Sequence, residues 1–108
     1  MFEDLYDSLS LVLYRWWPAE RGEITAIDIE RIGRSRSRTR VRLAVAYKFS
    51  VGADGPYTGE SFWEPLFFAK RRVAVSRRKL HIRQAVVVHY RTDDPTVNRL
   101  DRELWHNL

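Results

Sequence analysis

The chain has 108 residues, of which 44% are hydrophobic and 31% charged, the size and composition of one globular domain rather than of a disordered segment. Cysteine is absent, which excludes disulfide bonds, thiolate metal sites and a cysteine nucleophile. The net charge is +5, from 19 Lys and Arg against 14 Asp and Glu, and an excess of this sign favours anionic partners.

The first predicted element is an amphipathic helix over residues 3–17, in which apolar residues recur at helical spacing until Pro18 ends it. More than one face of this helix is apolar, so it can pack on a sheet, on a second copy or on a membrane surface. Its candidate membrane- or partner-binding face consists of Leu5, Leu9, Val12, Leu13, Trp16 and Trp17.

No run of 18 apolar residues occurs, and the chain starts with the acidic segment Met1-Phe2-Glu3-Asp4. The sequence therefore predicts neither a membrane-spanning helix nor a secretory signal peptide. The expected location is the cytoplasm or the periphery of a membrane.

Three further segments alternate apolar and polar residues with a period of two, which is typical of β-strands. They predict strands over residues 23–33, 40–51 and 57–63, joined by a polar loop from 33 to 39 and an Asp-Gly turn at 52–56. The second strand has the clearest pattern, because one face carries Val41, Leu43, Val45, Tyr47, Phe49 and Val51. One dry face and one partly wet face predict an antiparallel sheet.

The C-terminal part of the chain predicts a helix, a strong strand and a short closing helix. Residues 66–80 fit a helix that carries basic residues outward, with Phe67, Val73 and Leu80 among its inward-facing side chains. Residues 84–91 are apolar on both faces, which predicts a central strand. The closing helix is predicted to be capped by Asp93 or Asp94, to carry Pro95 in its first turn and to pack through Val97, Leu100 and Leu104.

Together these elements predict a single domain over residues 1–108, with the helix at 1–17 and a β-rich module at 18–108. The predicted class is α+β. The architecture is a small antiparallel sheet or partly open barrel of about four to five strands, with an N-terminal helix and one helix before the last strand.

The sequence contains no recognisable set of catalytic or metal-binding residues. His81, His89 and His106 lack the spacing of metal ligands, and Ser35 and Ser37 have no nearby base. Neither a GxGxxG nor a GxxxxGK[ST] phosphate-binding loop is present. We therefore expect a protein that is not an enzyme and that binds no metal and no cofactor.

Two clusters of basic residues are the candidate anion-binding sites. The first is a run of alternating Arg and Ser or Thr over residues 34–40, and the second lies in the helix predicted over 66–80. Their candidate residues are Arg34, Arg36, Arg38, Arg40, Lys70, Arg71, Arg72, Arg77, Arg78 and Lys79. A simpler interpretation is that both clusters are solvated surface that keeps the protein soluble.

Four segments, taken in order, carry a resemblance to a known family. Trp17-Pro18-Ala19-Glu20-Arg21-Gly22-Glu23-Ile24 is similar to an opening W-P-x-x-x-G-x-V/I, and Val45-Ala46-Tyr47-Lys48-Phe49 to x-V-x-Y-x-F/Y. Tyr57-Thr58-Gly59-Glu60 resembles a Y-x-G strand, and the segment from Val86 to Pro95 resembles V-x-V-x-Y-x-P-x-D-P. In this order and spacing, over residues 16–100, they resemble the bacterial family of domains of unknown function (DUF) 3592.

The resemblance implies a membrane-associated or envelope-linked β-rich module, because members of this family commonly carry flanking transmembrane helices. It implies no active-site residues, since no catalytic role is established for the family. This chain departs from the pattern in lacking a spanning helix, in having Thr92 where proline is usual, and in having Arg83-Gln84 where a glycine often precedes the last strand.

Two functional hypotheses follow from the sequence. The first is a non-enzymatic binding or interaction module of bacterial origin, peripheral to the membrane through its apolar helix and basic surface, whose partner is an anionic membrane surface or another protein. The alternative is a nucleic-acid-binding domain that uses the clusters Arg34–Arg42 and Lys70–Lys79, which requires both clusters to converge on one surface. The oligomeric state is left open.

Overall fold

The structure is a computed structural model and describes residues 16–35 and 38–106. In this part of the chain five strands form one antiparallel sheet of order β3-β2-β1-β4-β5, accompanied by two short helices. The elements are β1 (Ala19–Ser35), β2 (Arg38–Val51), β3 (Asp54–Trp63), α1 (Ala69–Lys79), β4 (Ala85–Arg91), β5 (Asp94–Leu100) and α2 (Glu103–His106). The sheet curls into a nearly closed barrel, so the fold is mostly β.

Strand β1 connects the two halves of the sheet. Its first residues pair with β4, from Ala19 opposite His89 to Glu23 opposite Ala85. The rest of β1 pairs only with β2, and register shifts after Ile24 and before Gly33 interrupt this ladder. Such β-bulges bend a strand and increase its twist, which lets a 17-residue strand take part in both halves.

The apolar face predicted for β2 is confirmed as the centre of the core. Its side chains alternate between buried positions and partly or fully exposed ones, and Leu43, Val45 and Tyr47 are at most 1% exposed. Helix α1 covers this face and contributes Val73, while Leu80 directly follows the helix; both predicted inward positions are confirmed. The buried core consists of Ile24, Val41, Leu43, Val45, Tyr47, Phe49, Val73, Leu80, Val86, Val88, Tyr90 and Leu100.

The barrel closes where β3 approaches β5, and a buried polar group makes the contact. The Tyr47 hydroxyl donates a hydrogen bond of 2.6 Å to Asn98 Oδ1, and Asn98 Nδ2 donates to the carbonyl oxygens of Thr58, Pro95 and Thr96 at 3.1–3.2 Å. One asparagine therefore links β2, β3 and β5, and all its polar atoms are satisfied. Beside it, Trp105 of α2 stacks on Trp63 of β3 at a ring-centroid distance of 6.3 Å.

Gly59 leaves the space that this contact needs. A Cβ atom at position 59 would overlap Asn98 Oδ1 and would lie 2.5 Å from Cζ and the hydroxyl oxygen of Tyr47. Both neighbours are held by their hydrogen bond, so neither can retreat without breaking it. The close approach of β3 to this side chain pair thus requires glycine.

The predicted closing helix is wrong, because residues 94–100 form strand β5. Thr92 and Asp93 make the turn of a hairpin in which Arg91 pairs with Asp94. Pro95 is compatible with a strand here because β5 lies at the end of the sheet order, where a missing N–H is tolerated. Of the three packing residues predicted for that helix, Val97 and Leu100 belong to β5, and only Leu104 lies in a helix, α2.

Other elements also differ from the prediction: β1 begins at Ala19 instead of residue 23, and β3 at Asp54 instead of residue 57. Helix α1 begins at Ala69 instead of residue 66, and Phe67 lies in the preceding loop with 65% of its surface exposed, so it does not face inward. Strands β1 and β2 extend into the loop predicted at 33–39. The helix precedes the last two strands rather than the last one. The helix predicted over 3–17 lies, up to residue 15, outside the described residues.

We predict that Gly59→Ala and Tyr47→Phe both lower the free energy of unfolding. Tyr47→Phe leaves Asn98 Oδ1 buried without its donor, which costs about 1–3 kcal/mol, and Gly59→Ala adds steric overlap and costs more. Urea unfolding followed by circular dichroism measures both. Tyr57→Phe is the matched control, because the Tyr57 ring packs on Phe49 at 5.7 Å and a Phe ring keeps that contact. A Tyr47→Phe variant with the same free energy of unfolding as the parent protein would contradict the role given to the Tyr47–Asn98 hydrogen bond.

The burial of Tyr47 also predicts that the protein loses stability at alkaline pH. Burial raises its pKa to about 12, against a smaller opposite effect from nearby Arg99. An acid whose pKa is raised on folding favours the folded state below the unfolded pKa of about 10, and this contribution disappears as the pH rises from about 10 to about 12. The free energy of unfolding of the parent protein should therefore fall over this range more steeply than that of Tyr47→Phe. If the free energy of unfolding fell equally steeply with pH in both proteins, the raised pKa would not belong to Tyr47.

Candidate functional site

Helix α1 presents its basic residues to solvent. Val73 and Ser76 are its buried side chains, and every Lys and Arg of the helix is exposed. At 100° per residue, Arg71, Val75 and Arg78 project directly away from the core. The six basic residues predicted in this region are thus brought together on one short helix: Lys70, Arg71, Arg72, Arg77, Arg78 and Lys79.

The two ends of α1 differ in how well basic residues suit them. Arg77, Arg78 and Lys79 occupy the last turn, where the helix dipole favours positive charge. Lys70 and Arg71 lie near the positive end, and the first turn contains no acidic residue. The cations near the N-terminus of α1 therefore oppose the helix dipole, so helix stability does not account for them.

The loop before α1 exposes three consecutive large apolar side chains. Leu66, Phe67 and Phe68 are 86%, 65% and 81% exposed, whereas the adjoining Pro65 is buried. The Phe68 carbonyl accepts the first helical hydrogen bond, from Arg72 N at 2.9 Å. We call residues 66–68 the apolar loop; it is anchored at both ends and its side chains point into solvent.

Two residues that flank α1 have strained backbone conformations. Phe68 has φ 54° and ψ 40°, and Arg83, just before β4, has φ 71°. These are the non-glycine residues with positive φ in the described chain, and both are side chains that disfavour the left-handed region. Phe68 is also the N-cap of α1 and supplies no side-chain hydrogen bond to it.

Charge is strongly segregated along the sequence. Residues 65–92 contain eight of the 19 Lys and Arg and none of the 14 Asp and Glu. The remaining residues carry 11 basic against 14 acidic side chains, which is a net charge of −3. The positive charge of the protein is therefore concentrated in the segment that contains the apolar loop and α1.

The basic residues at the end of the other cluster have acidic partners. Arg40 donates two hydrogen bonds to the Glu64 carboxylate, at 2.8 and 3.0 Å, and these bonds raise the pKa of Arg40 and lower that of Glu64. Arg42 contacts Glu30 at 3.2 Å and lies over the Phe62 ring at 3.9 Å. Both arginines alternate with the buried Val41, so they lie on the face of β2 opposite the face that α1 covers.

The structure does not describe the side chains of Arg34, Arg36 and Arg38. Of the predicted membrane- or partner-binding face, Leu5, Leu9, Val12 and Leu13 lie outside the described residues. Trp16 is 73% exposed, and Trp17 is half-buried.

His89 of β4 contacts both the start of the described chain and Asp101, which lies between β5 and α2. His89 Nε2 lies 2.8 Å from Asp101 Oδ2, and His89 Nδ1 lies 3.2 Å from the Trp17 carbonyl oxygen. Burial raises the pKa of Asp101, but hydrogen bonds from the Glu103 amide and from His89 outweigh it, and the pKa lies below its usual range. These contacts hold the chain that enters β1 against β4, which explains His89 as a structural residue.

The described residues contain no cluster of three or more His, Asp and Glu that could hold a metal ion. Every buried side-chain nitrogen or oxygen atom among them has a hydrogen-bond partner. Neither helix in this part of the chain has the length and apolar character needed to span a bilayer.

Sequence reasoning found the basic residues of α1 but missed the apolar loop. The helical period, extended back to residue 66, predicts Phe67 in the core and predicts no role for Leu66 and Phe68. A usable signal was present, because Pro65 and three apolar residues precede the first basic residue without any polar capping residue between them.

A family model described as "Domain of unknown function (DUF3592)" matches residues 20–105 of the chain. No curated protein and no solved structure gives a match. The matched residues span all five strands, the apolar loop and α1, so the site belongs to the part of the chain that the family model covers.

The strained residues generate a stability prediction. Phe68→Gly and Arg83→Gly should each raise the free energy of unfolding by about 1 kcal/mol, because glycine adopts positive φ without the steric penalty of a side chain. Phe68→Ala and Arg83→Ala keep a Cβ atom and serve as controls that should not gain stability. Chemical denaturation measures all four, and a loss of stability in both glycine variants would contradict the assigned strain.

Proposed function

The chain belongs to the family described as Domain of unknown function (DUF3592), and we propose that it is a non-enzymatic module that docks on anionic membrane surfaces through α1 and the apolar loop. The observation that carries this proposal is the segregation of charge, with eight basic and no acidic residues in the segment 65–92. An anionic lipid surface attracts such a segment, so the exposed cations of α1 favour binding and turn this helix toward the surface.

The expected strength of this docking follows from the number of exposed cations. Each Lys or Arg close to an anionic leaflet contributes about 1 kcal/mol, and this attraction falls off within a Debye length of about 8–10 Å. Helix α1 carries six such residues over a length of about 16 Å, so several can approach the surface together. Binding of this kind is reversible and strongly dependent on salt.

The N-terminal segment is a further part of the proposal. The amphipathic helix predicted over residues 3–17 would lie on the same surface and add apolar contact. The large exposed fraction of Trp16 supports this, because Trp is favoured at the boundary between lipid and water.

Nucleic-acid binding is supported less well. That alternative requires the two basic clusters to converge, but Arg40 and Arg42 lie on the face of β2 opposite the face that α1 covers. Their pairing with Glu64 and Glu30 also reduces the positive charge available to phosphates.

We expect Arg71→Glu/Arg78→Glu to weaken binding to vesicles of phosphatidylcholine and phosphatidylserine by at least roughly thirtyfold, which corresponds to about 2 kcal/mol for two lost cations. The two sites lie near opposite ends of α1, so their effects on the helix dipole oppose each other. Co-sedimentation with these vesicles measures the loss, and raising the ionic strength toward about 1 M should abolish most electrostatic binding of the parent protein.

The matched control is Arg21→Glu/Arg31→Glu, which reverses two exposed arginines of β1 and reaches the same net charge of +1, four below the parent value of +5. This variant should keep most of the vesicle binding, and circular dichroism should show both variants folded. Equal loss in the two variants would mean that net charge alone acts. Gel shifts with random DNA and RNA, combined with absent vesicle binding, would overturn the proposal in favour of a nucleic-acid-binding domain.

A further inference from the structure

We propose that the apolar loop, Leu66-Phe67-Phe68, inserts below the lipid headgroups and acts as a hydrophobic anchor for the docked protein. This inference rests on the proposed function, since it needs α1 to bring the loop to a membrane. It assigns the loop a separate role, because the cations supply attraction at a distance and the loop supplies apolar contact after arrival.

Among the described residues, this loop exposes several large apolar side chains in succession. Single exposed apolar side chains elsewhere, such as Ile29, Phe62 and Val87, are 42–45% exposed and are normal on a protein surface. The apolar loop has three in succession at 65–86%. Side chains this exposed stand out from the surface, and a protruding apolar tip suits penetration of a soft bilayer better than burial in a flat protein interface.

The conformation of the loop at Phe68 is locally unfavourable in three respects. Phe68 adopts positive φ, caps α1 without a side-chain hydrogen bond and lies two residues before Lys70, the first of the cations at the positive end of the helix. Three local preferences are therefore violated within a few residues. Violations of this kind occur mainly at functional sites, where the strained geometry is retained for what it presents.

The surroundings of the loop match the layered chemistry of an anionic bilayer. Lys70 and Arg71 follow the apolar tip within three residues, no carboxylate occurs between residues 65 and 92, and the carboxylate of Glu64, two residues before the loop, is paired with Arg40. Long basic side chains can keep their charged ends among lipid phosphates while their stems and the neighbouring apolar residues lie deeper. A buried carboxylate at this depth would oppose insertion, and none is present in this segment.

The absence of cysteine from the chain allows the depth of the loop to be measured without background. Phe67→Cys and, as a control away from the loop, Val87→Cys are each labelled with an environment-sensitive nitrobenzoxadiazole dye in the full chain. On vesicles of phosphatidylcholine and phosphatidylserine, the label at position 67 should shift to the blue and be quenched by lipids with a spin label on the acyl chain. The label at position 87 should show neither effect.

A second pair of variants measures how much the loop contributes. Leu66→Thr/Phe67→Thr should lower vesicle partitioning by on the order of tenfold for each side chain and should remove the binding that persists at high salt. Ile29→Thr/Val87→Thr, two exposed apolar residues replaced by the same β-branched residue, should change it little. Phe68→Gly gives a further readout, because it should weaken vesicle binding although it stabilises the fold.

The outcomes distinguish this inference from the proposed function. Salt-dependent vesicle binding with a label at position 67 that stays in water would overturn insertion and leave docking through α1 intact. Failure of the parent protein to bind vesicles at all would overturn both. A label at position 67 that already reports an apolar environment before lipid is added would mean that the chain itself or a second copy covers the loop, and this would also overturn insertion.

Discussion

The hydrogen bond between Tyr47 and Asn98 is the contact on which the closed form of the barrel depends. It joins the middle strand of one half of the sheet to the last strand of the other, and Asn98 extends it to the backbone of β3. In a nearly dry interior such a group stabilises one arrangement only if all its polar atoms are satisfied, as they are here. The fixed barrel then gives α1 and the apolar loop a rigid base from which to present strained and exposed side chains.

The segments that carry the resemblance to the family are explained by this architecture. The carbonyl oxygens of Trp17 and Pro18 contact His89 and the Tyr90 amide of β4, and a Cβ atom on Gly22 would lie 2.6 Å from the Lys48 carbonyl oxygen. Tyr47 and Gly59 form the closing contact. These motifs thus specify how the strands meet, whereas the proposed docking segment between β3 and β4 lies outside them.

The sequence predicted the sheet well because its signal is repeated along each strand. The alternation in β2 depends on six residues that agree with one another, and one misread residue would not change the result. The prediction failed at residues 94–100 and 66–68, where the few available residues are compatible with two different structures. Pro95 suits both the first turn of a helix and a strand at the end of a sheet, and only the contact of Asn98 with β2 and β3 decides between them. Phe67 likewise fits the helical period, and the exposure of the loop follows from where α1 begins.

The cations and the apolar side chains of the proposed site act over different distances from a surface. Exposed cations act over about one Debye length and orient the protein, but water and salt weaken them at contact. Apolar side chains contribute nothing at a distance and gain their free energy only once they leave water. Because both lie within the short segment from Leu66 to Lys79, cations that approach an anionic surface would bring the apolar loop to it. Strain at Phe68 is consistent with this order, since the loop is held exposed before the surface is reached.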